Sequence, residues 1–480
     1  MSEIGILERR LDRLRQEREA AAQRRTDPLD GRPPWADLAR SAEQRAARLA
    51  GALEGAWVQG PGGGHIRIEP PAIHLPLDRD RIAGLPDHPG PGVPLVCLDT
   101  ETTGLATGAG TLAFLVGLGW WSDDRFQQVQ LLLPDQAGEP GLLDALAELL
   151  PADAWLVTYN GRSFDWPLLV ARYRLNRRSP PPLAGHLDLL PFVRRVFRHR
   201  MSDARLKTVE TELLGQARGH DIEGWEIPGR YLEMLRGGPV EPIAEVVRHN
   251  HQDVRSLARL MAHAERHLGA ASDRRSAPAG DLVGLARAYR RMRRDDDALD
   301  CLDAALEGPP RSPAIGARPS SETPARRSWS TILTQRADAT GESPTSPARL
   351  EMIVERARLL RRLGRHREAL EAWRDAAHGG GPDAAFAWIE VAKCLEHHER
   401  DPVGALSACA AADRLAQRAR FLGRPMRLVE ADLARRRLRL SRRVRRPIGG
   451  PDRVAGRPVE RRDEWQTPRM TPADAILLER

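Results

Sequence analysis

Four carboxylates and one histidine have the types and spacing to do chemistry. Asp99 and Glu101 stand two residues apart at the end of the apolar run Leu95-Val-Cys-Leu-Asp99. In a strand, residues i and i+2 point the same way, so the two carboxylates share a face. They repel each other, the motif holds no basic partner, and a divalent cation would relieve that cost. Asp165 closes the stretch Tyr159-Asn-Gly-Arg-Ser-Phe-Asp165. It follows a strand and opens a helix, where the helix dipole favours a carboxylate that would also serve as a cap. Asn160 and Gly161 permit a tight turn there. His249 and Asp253 lie four residues apart in Arg248-His-Asn-His-Gln-Asp253 and share a helix face. His251 points elsewhere and reads as a surface histidine. Each piece alone has a plain alternative: a solvated turn, a helix cap, a helix-face hydrogen bond.

The elements that must position these groups follow from pattern. Leu95–Asp99, Leu112–Trp121 and Phe126–Leu133 read as three strands, the last two joined at Ser122-Asp-Asp124. Gly141–Leu150 reads as a helix, Trp155–Tyr159 as a fourth strand, Phe164–Arg174 as a helix and Leu187–Leu190 as a fifth strand. Leu206–Leu214 and Pro242–Leu268 read as further helices. Strands followed by alternating helix and strand predict a mixed α/β sheet. Upstream, residues 1–25 read as a charged helix and 26–92 as a Pro/Gly-rich lead-in with one strand-like run, Ile66–Ile68. From about 281 the chain reads as all-helical. Ala286 and Ala298, Ala357 and Ala369, and Ala392 and Ala405 recur at near-constant spacing, close to a tetratricopeptide period. Segments 281–307 and 350–416 form this expected array, interrupted by a flexible insertion at 308–349. Residues 417–480 read as a basic, partly disordered tail.

Composition narrows the class. Lys and Arg total 74 against 66 Asp and Glu, a net charge of +8. Only Lys207 and Lys393 are lysines, and neither follows a glycine, so no phosphate-loop motif exists. The excess of arginine fits a polyanionic partner, because the guanidinium is the better phosphate fork. The run Arg435–Arg446 would track phosphates or form a solvated helix. The longest apolar stretch, Leu112–Trp121, is too short for a membrane span, which needs about 20 residues. The N-terminus has no apolar core of a signal peptide. Cys97, Cys301, Cys394 and Cys409 are scattered, which argues against a disulfide framework or zinc site and predicts a reducing cytoplasm.

Taken together, the order DxE, NxxxFD, HxxxD resembles the DEDD, or DnaQ-like, exonuclease branch of the RNase H-like superfamily. Glu101-Thr-Thr-Gly104, Tyr159–Asp165, His186-Leu-Asp-Leu-Leu190, Arg205-Leu-Lys-Thr-Val-Glu210, Glu226-Ile-Pro228 and Arg248–Leu257 look like the YprB-type RNase H-like domain, which tetratricopeptide-like helices follow. The resemblance implies an RNase H-like domain over 93–270 and a two-metal-ion 3′–5′ exonuclease acting on DNA or RNA. Asp99 would bridge two Mg²⁺ or Mn²⁺ ions, Glu101 and Asp253 would complete the first, and Asp165 would hold the second. His249 would take a proton from water as general base. It occupies the four-residue offset where one subclass has tyrosine. The five-residue offset of the histidine subclass holds Arg248. Thr102, Thr103, Leu105 and Asn160 would grip the terminal nucleotide, the first two through backbone amides. Asp188 would support the site or cap a turn, and His186 reads as structural. The helical region would offer a surface to a protein partner. Two alternatives stay open: a non-catalytic nucleic-acid-binding scaffold, and a structure-specific endonuclease on the same fold.

Overall fold

The computed structural model describes residues 34–104, 110–219, 222–308, 346–380 and 383–444. The expected N-terminal helix, Leu105, most of the insertion and residues 445–480 lie outside the described residues. The chain divides into two compact units, Met1–Gly380 and Gly381–Arg480.

The first unit is built on an eight-stranded mixed sheet. Helix α1 (Pro34–Ala52) leads into β1 (Ala56–Gly60), β2 (Gly63–Ile68) and β3 (Ile73–His74), and α2 (Arg79–Ala83) follows. Then come β4 (Leu95–Thr102), β5 (Ala113–Ser122) and β6 (Arg125–Leu132). The strand order is β1-β2-β6-β5-β4 and continues through β7 (Trp155–Thr158) and β8 (Gly185–Asp188), with β3 pairing β6. β4 runs antiparallel to β5 and parallel to β7. The Pro/Gly-rich lead-in therefore supplies three strands, two more than its sequence suggested. Its glycines and prolines break up the alternation by which strands are read.

β4 explains why its sequence is so apolar. Leu95 and Cys97 join one buried cluster, Val96 and Leu98 the other, so the strand is covered on both faces. The covering helices are α3 (Glu139–Leu149), α4 (Asp165–Leu175), α5 (Leu189–Val196), α6 (Leu206–Thr208), α7 (Ile227–Leu235) and the long α8 (Glu241–Leu268). A single π-helical turn, Val209–Leu213, follows α6. The fifth strand ends at Asp188, and Leu189 and Leu190 open α5 instead of extending the strand. Asp188 accepts the Leu190 N–H at 3.1 Å and so caps the helix.

Helix α8 lies close on β5 because β5 carries glycines beneath it. A Cβ at Gly117 would meet Asn250 Oδ1 at 2.3 Å and Val254 Cγ2 at 2.8 Å. Two buried glutamines of β6 pin the same helix: Gln128 donates to the His251 carbonyl at 3.0 Å and Gln130 to the Val247 carbonyl at 2.9 Å.

Beyond α8 and the short α9 (Ala271–Arg274), this unit continues as α10 (Ala279–Arg291), α11 (Asp295–Glu307), α12 (Pro347–Arg362) and α13 (His366–His378). Ala286, Ala298, Ala357 and Ala369 are all essentially inaccessible. The second unit holds α14 (Ala384–His397), α15 (Pro402–Phe421) and α16 (Arg427–Val444), with Ala392 and Ala405 equally buried. The segment read as a partly disordered tail is thus helical as far as Val444. Its arginines are drawn inward by Glu396, whose side chain is fully enclosed. Arg436 donates to it at 2.7 Å and Arg439 at 2.7 and 2.8 Å, while Arg443 reaches it at 3.4 Å.

Candidate active site

Asp99 and Glu101 sit at the carboxyl end of β4, where the ladder with β5 shifts register between Glu101 and Thr102. Such a bulge twists a strand end and re-aims its side chains. Asn250 is fully buried and accepts from Gln130 through Oδ1 at 2.8 Å. That contact fixes its amide, so Nδ2 faces Asp99 and donates to Oδ2 at 2.8 Å and to the backbone carbonyl at 3.2 Å. Burial holds the Asp99 carboxyl well above the usual carboxylate range. The charges of Asp253, Glu101 and Asp165 push it further, against the Asn250 hydrogen bond.

Asp165 opens α4 and accepts from Thr100 Oγ1 at 2.6 Å. Burial raises its pKa, and Thr100 opposes the shift. The turn before it needs Asn160 in the left-handed region at φ 69° and Gly161 pressed against Thr158. Asp188 organises that turn, accepting the N–H groups of Asn160 at 2.8 Å and Arg162 at 3.3 Å. Of its two expected roles, the contacts are those of a cap. His186 Nε2 meets Thr158 Oγ1 at 2.8 Å, and burial pushes its pKa down to about 4, so it is neutral at ordinary pH. His251 is half-buried rather than a fully exposed surface histidine, and its pKa also falls to about 4 through burial.

His249 and Asp253 share the face of α8 that meets β4. His249 Nε2 lies 3.7 Å from Asp253 Oδ2 and 4.0 Å from Glu101 Oε1. The structure thus brings Glu101, Asp165 and Asp253 within electrostatic reach of Asp99, and His249 beside Glu101 and Asp253. Burial raises the Asp253 pKa, against the pull of His249 and Arg218.

Arg218 is the group that the sequence reading missed. Its side chain is only 4 % exposed. It bridges Asp253 to the fully buried Glu210, donating to Glu210 Oε1 at 2.8 Å, and its Nη1 lies 3.2 Å from His249 Nδ1. Ser256 of α8 also donates to Glu210. Glu210 belongs to a stretch already noted, but Arg218 lies in an irregular segment without periodicity, and nothing local marks it. Arginine only donates, so its contact makes Nδ1 the acceptor and places the neutral imidazole proton on Nε2.

The threonines close the loop after β4. Thr102 Oγ1 donates to the Gly104 carbonyl at 2.7 Å, and Thr103 Oγ1 accepts the Leu112 N–H at 3.0 Å. The Thr103 amide donates to the Leu112 carbonyl at 2.9 Å, so it is committed to the loop and is not open to a nucleotide. Asn160 lines a cavity of about 750 Å³ together with Arg194, Arg198 and Arg205, and His249 lines another of about 390 Å³ with Arg230 and Arg248.

Among the described residues, no three His, Cys, Asp or Glu side chains stand ready to hold a metal ion. The carboxylates are occupied otherwise: Asp99 by Asn250, Asp165 by Thr100, Asp253 by Arg218. The chemistry of the donor set nevertheless fits a hard divalent cation. It is all oxygen, and such an ion offsets both the burial and the mutual repulsion that raise Asp99.

Residues 96–265 match the family described as the RNase_H superfamily, and this part of the chain is an RNase H-like domain, a mixed sheet flanked by helices. The chain is also similar to the uncharacterized protein YprB of Bacillus subtilis (strain 168), with 35% identity over 217 residues. That match covers 44% of this chain and 52% of the relative, so the chain spans about half the length of that protein. A family B DNA polymerase from the hyperthermophilic archaeon Pyrobaculum calidifontis is 16% identical at a TM-score of 0.33, over 70% of this chain and 51% of that one, a likeness too slight to bear on function. Among the described residues, no helix is long and apolar enough to cross a membrane.

Proposed function

We propose that the chain hydrolyses phosphodiester bonds of DNA or RNA as a divalent-metal-dependent 3′–5′ exonuclease. The observation that carries this reading is that Glu101 of β4, Asp165 of α4 and Asp253 of α8 converge on the buried Asp99, whose carboxyl is raised first by burial and then by their charges. Structures keep such repulsion mainly at functional sites. Asp99, Glu101, Asp165 and Asp253 would hold two Mg²⁺ or Mn²⁺ ions, which supply charge neutralisation and Lewis acidity to a phosphodiester. Asn250 orients Asp99, and Thr100 orients Asp165. His249 accepts the proton of the attacking water at Nε2. That step needs Nε2 free of its own proton, so Arg218 must first withdraw from Nδ1. Arg194, Arg198 and Arg205 line the cavity beside Asn160 and would receive phosphates of the strand. The compartment is the cytoplasm, and the C-terminal helices are tetratricopeptide-like and available to a protein partner.

One observation favours a second reading. Arg218 already neutralises Asp253, as a cation built into a non-catalytic nucleic-acid-binding scaffold would. End-labelled single- and double-stranded DNA and RNA, incubated with Mg²⁺, Mn²⁺ or EDTA, separates the two. Stepwise loss from the 3′ end that EDTA and Asp99→Asn both abolish supports the exonuclease. Internal cuts indicate an endonuclease on the same site. Binding without cleavage under every condition overturns the catalytic reading.

A further inference from the structure

Helix α10 ends in a concentration of positive charge that the site above does not use. Arg287, Arg290 and Arg291 are spaced i, i+3 and i+4 and share one helical face. Arg293 follows in the turn, with a left-handed backbone at φ 58°. Arg362 comes from the last turn of α12. These five arginines and Glu355 line one cavity of about 840 Å³. Glu355 accepts from Arg290 at 2.6 Å and lies 3.9 Å from Arg287, and Arg362 reaches Asp295 at 3.3 Å. Among the described residues, Arg291 and Arg293 have no carboxylate within ion-pair distance, and the buried Nε of Arg290 has no hydrogen-bond partner.

The bland account is that cations favour the last turn of a helix. The macrodipole is worth about half a charge at each end. Two helix ends therefore offset about one of the three positive charges left after Glu355 and Asp295, and a surplus of about two remains. A small organic ligand would want apolar and aromatic walls. This lining has no aromatic or aliphatic residue, only the stems of its arginines, so it also offers no aromatic platform for stacked bases. What it does offer is several guanidinium forks in one concavity, which is phosphate-recognition chemistry without sequence preference.

We propose that the arginine cavity at the ends of α10 and α12 is a second nucleic-acid site, holding the phosphodiester backbone of the polynucleotide that the RNase H-like domain acts on. The proposal extends the nuclease reading and is tested apart from it. Arg287, Arg291 and Arg293 are exposed, so replacing them leaves the core intact. The full-length chain is titrated in EDTA with a labelled single-stranded oligothymidylate at several salt concentrations. The triple variant Arg287→Ala/Arg291→Ala/Arg293→Ala should bind at least tenfold more weakly at low salt. Its slope of log affinity against log salt should fall by about 0.7 for each lost phosphate contact. The triple Arg→Lys variant should keep most of the slope. Removal of exposed charge elsewhere, Arg174→Ala/Arg266→Ala, should leave the slope unchanged. Equal slopes for the wild type and the alanine triple would overturn the cavity assignment, even if the wild type cleaves. Loss of slope in the alanine triple sustains the assignment, even if no preparation cleaves with metal, in which case only the nuclease reading falls.

Discussion

At the residue scale, the candidate site is a set of charges placed against their own preferences. His249→Ala should slow hydrolysis by about 10²–10⁴, the usual worth of a general base, with nucleic-acid affinity little changed. His249→Tyr should retain more activity than alanine, and single-turnover rates on end-labelled substrate check both. Asp99→Asn should abolish cleavage yet raise the melting temperature in EDTA. The sign follows from linkage. The folded-state pKa of Asp99 is raised, so its contribution is favourable below the unfolded value near 3.9 and is lost as pH rises from there through the folded value. Asparagine does not titrate, so its advantage should be absent at low pH and grow toward neutrality, which thermal melts across pH will show. Arg218→Ala should cost about 3–5 kcal/mol in EDTA, because it removes the buried cation that Glu210 and Asp253 share. Adding Mn²⁺ should restore more stability to this variant than to the wild type.

At the element scale, precision comes from how α8 seats on the sheet. Gly117 lets the helix backbone approach, and Gln128 and Gln130 hold its carbonyls. Gly117→Ala should force Asn250 and Val254 aside at about 1–3 kcal/mol. It should also lower activity more than an equal loss of stability elsewhere, as paired urea melts and cleavage rates will reveal. This seating also separates what was legible in the sequence from what was not. Asp99, Glu101, Asp165, His249 and Asp253 ride on elements with clear periodicity, so their faces could be read. Asn250 and Gln130 could not, because an amide within an apolar pattern looks like an imperfection until its partner across the sheet is known. Arg218 sits in irregular chain and meets Asp253 over 35 positions of sequence. The strands of the lead-in were hidden by their glycines and prolines.

At the scale of the whole molecule, arginine is used in opposite ways in the two units. Around α10, Arg291 and Arg293 stand beside a cavity with no carboxylate at ion-pair distance among the described residues, whereas in α16 arginine is consumed internally by Glu396. Glu396→Gln should therefore loosen the second unit by about 3–5 kcal/mol, since three guanidinium groups lose the charge they converge on. Hydrogen exchange should show faster amides in α14 and α16, with the sheet of the first unit unaffected. The basic stretch, by the same token, is less available to polyanions than its composition suggests.

Arg218 has a consequence for the history of each molecule. A carboxylate cluster that depended wholly on free ions would leave every newly made chain waiting on the cell's ion supply. Here the chain brings a tethered counter-charge of its own, which seats Asp253 from the outset. Under the proposed reading, maturation and activation would be uncoupled: the chain would complete its shape in ion-poor surroundings and would turn over substrate only once Asp253 were released from the guanidinium to hold an ion.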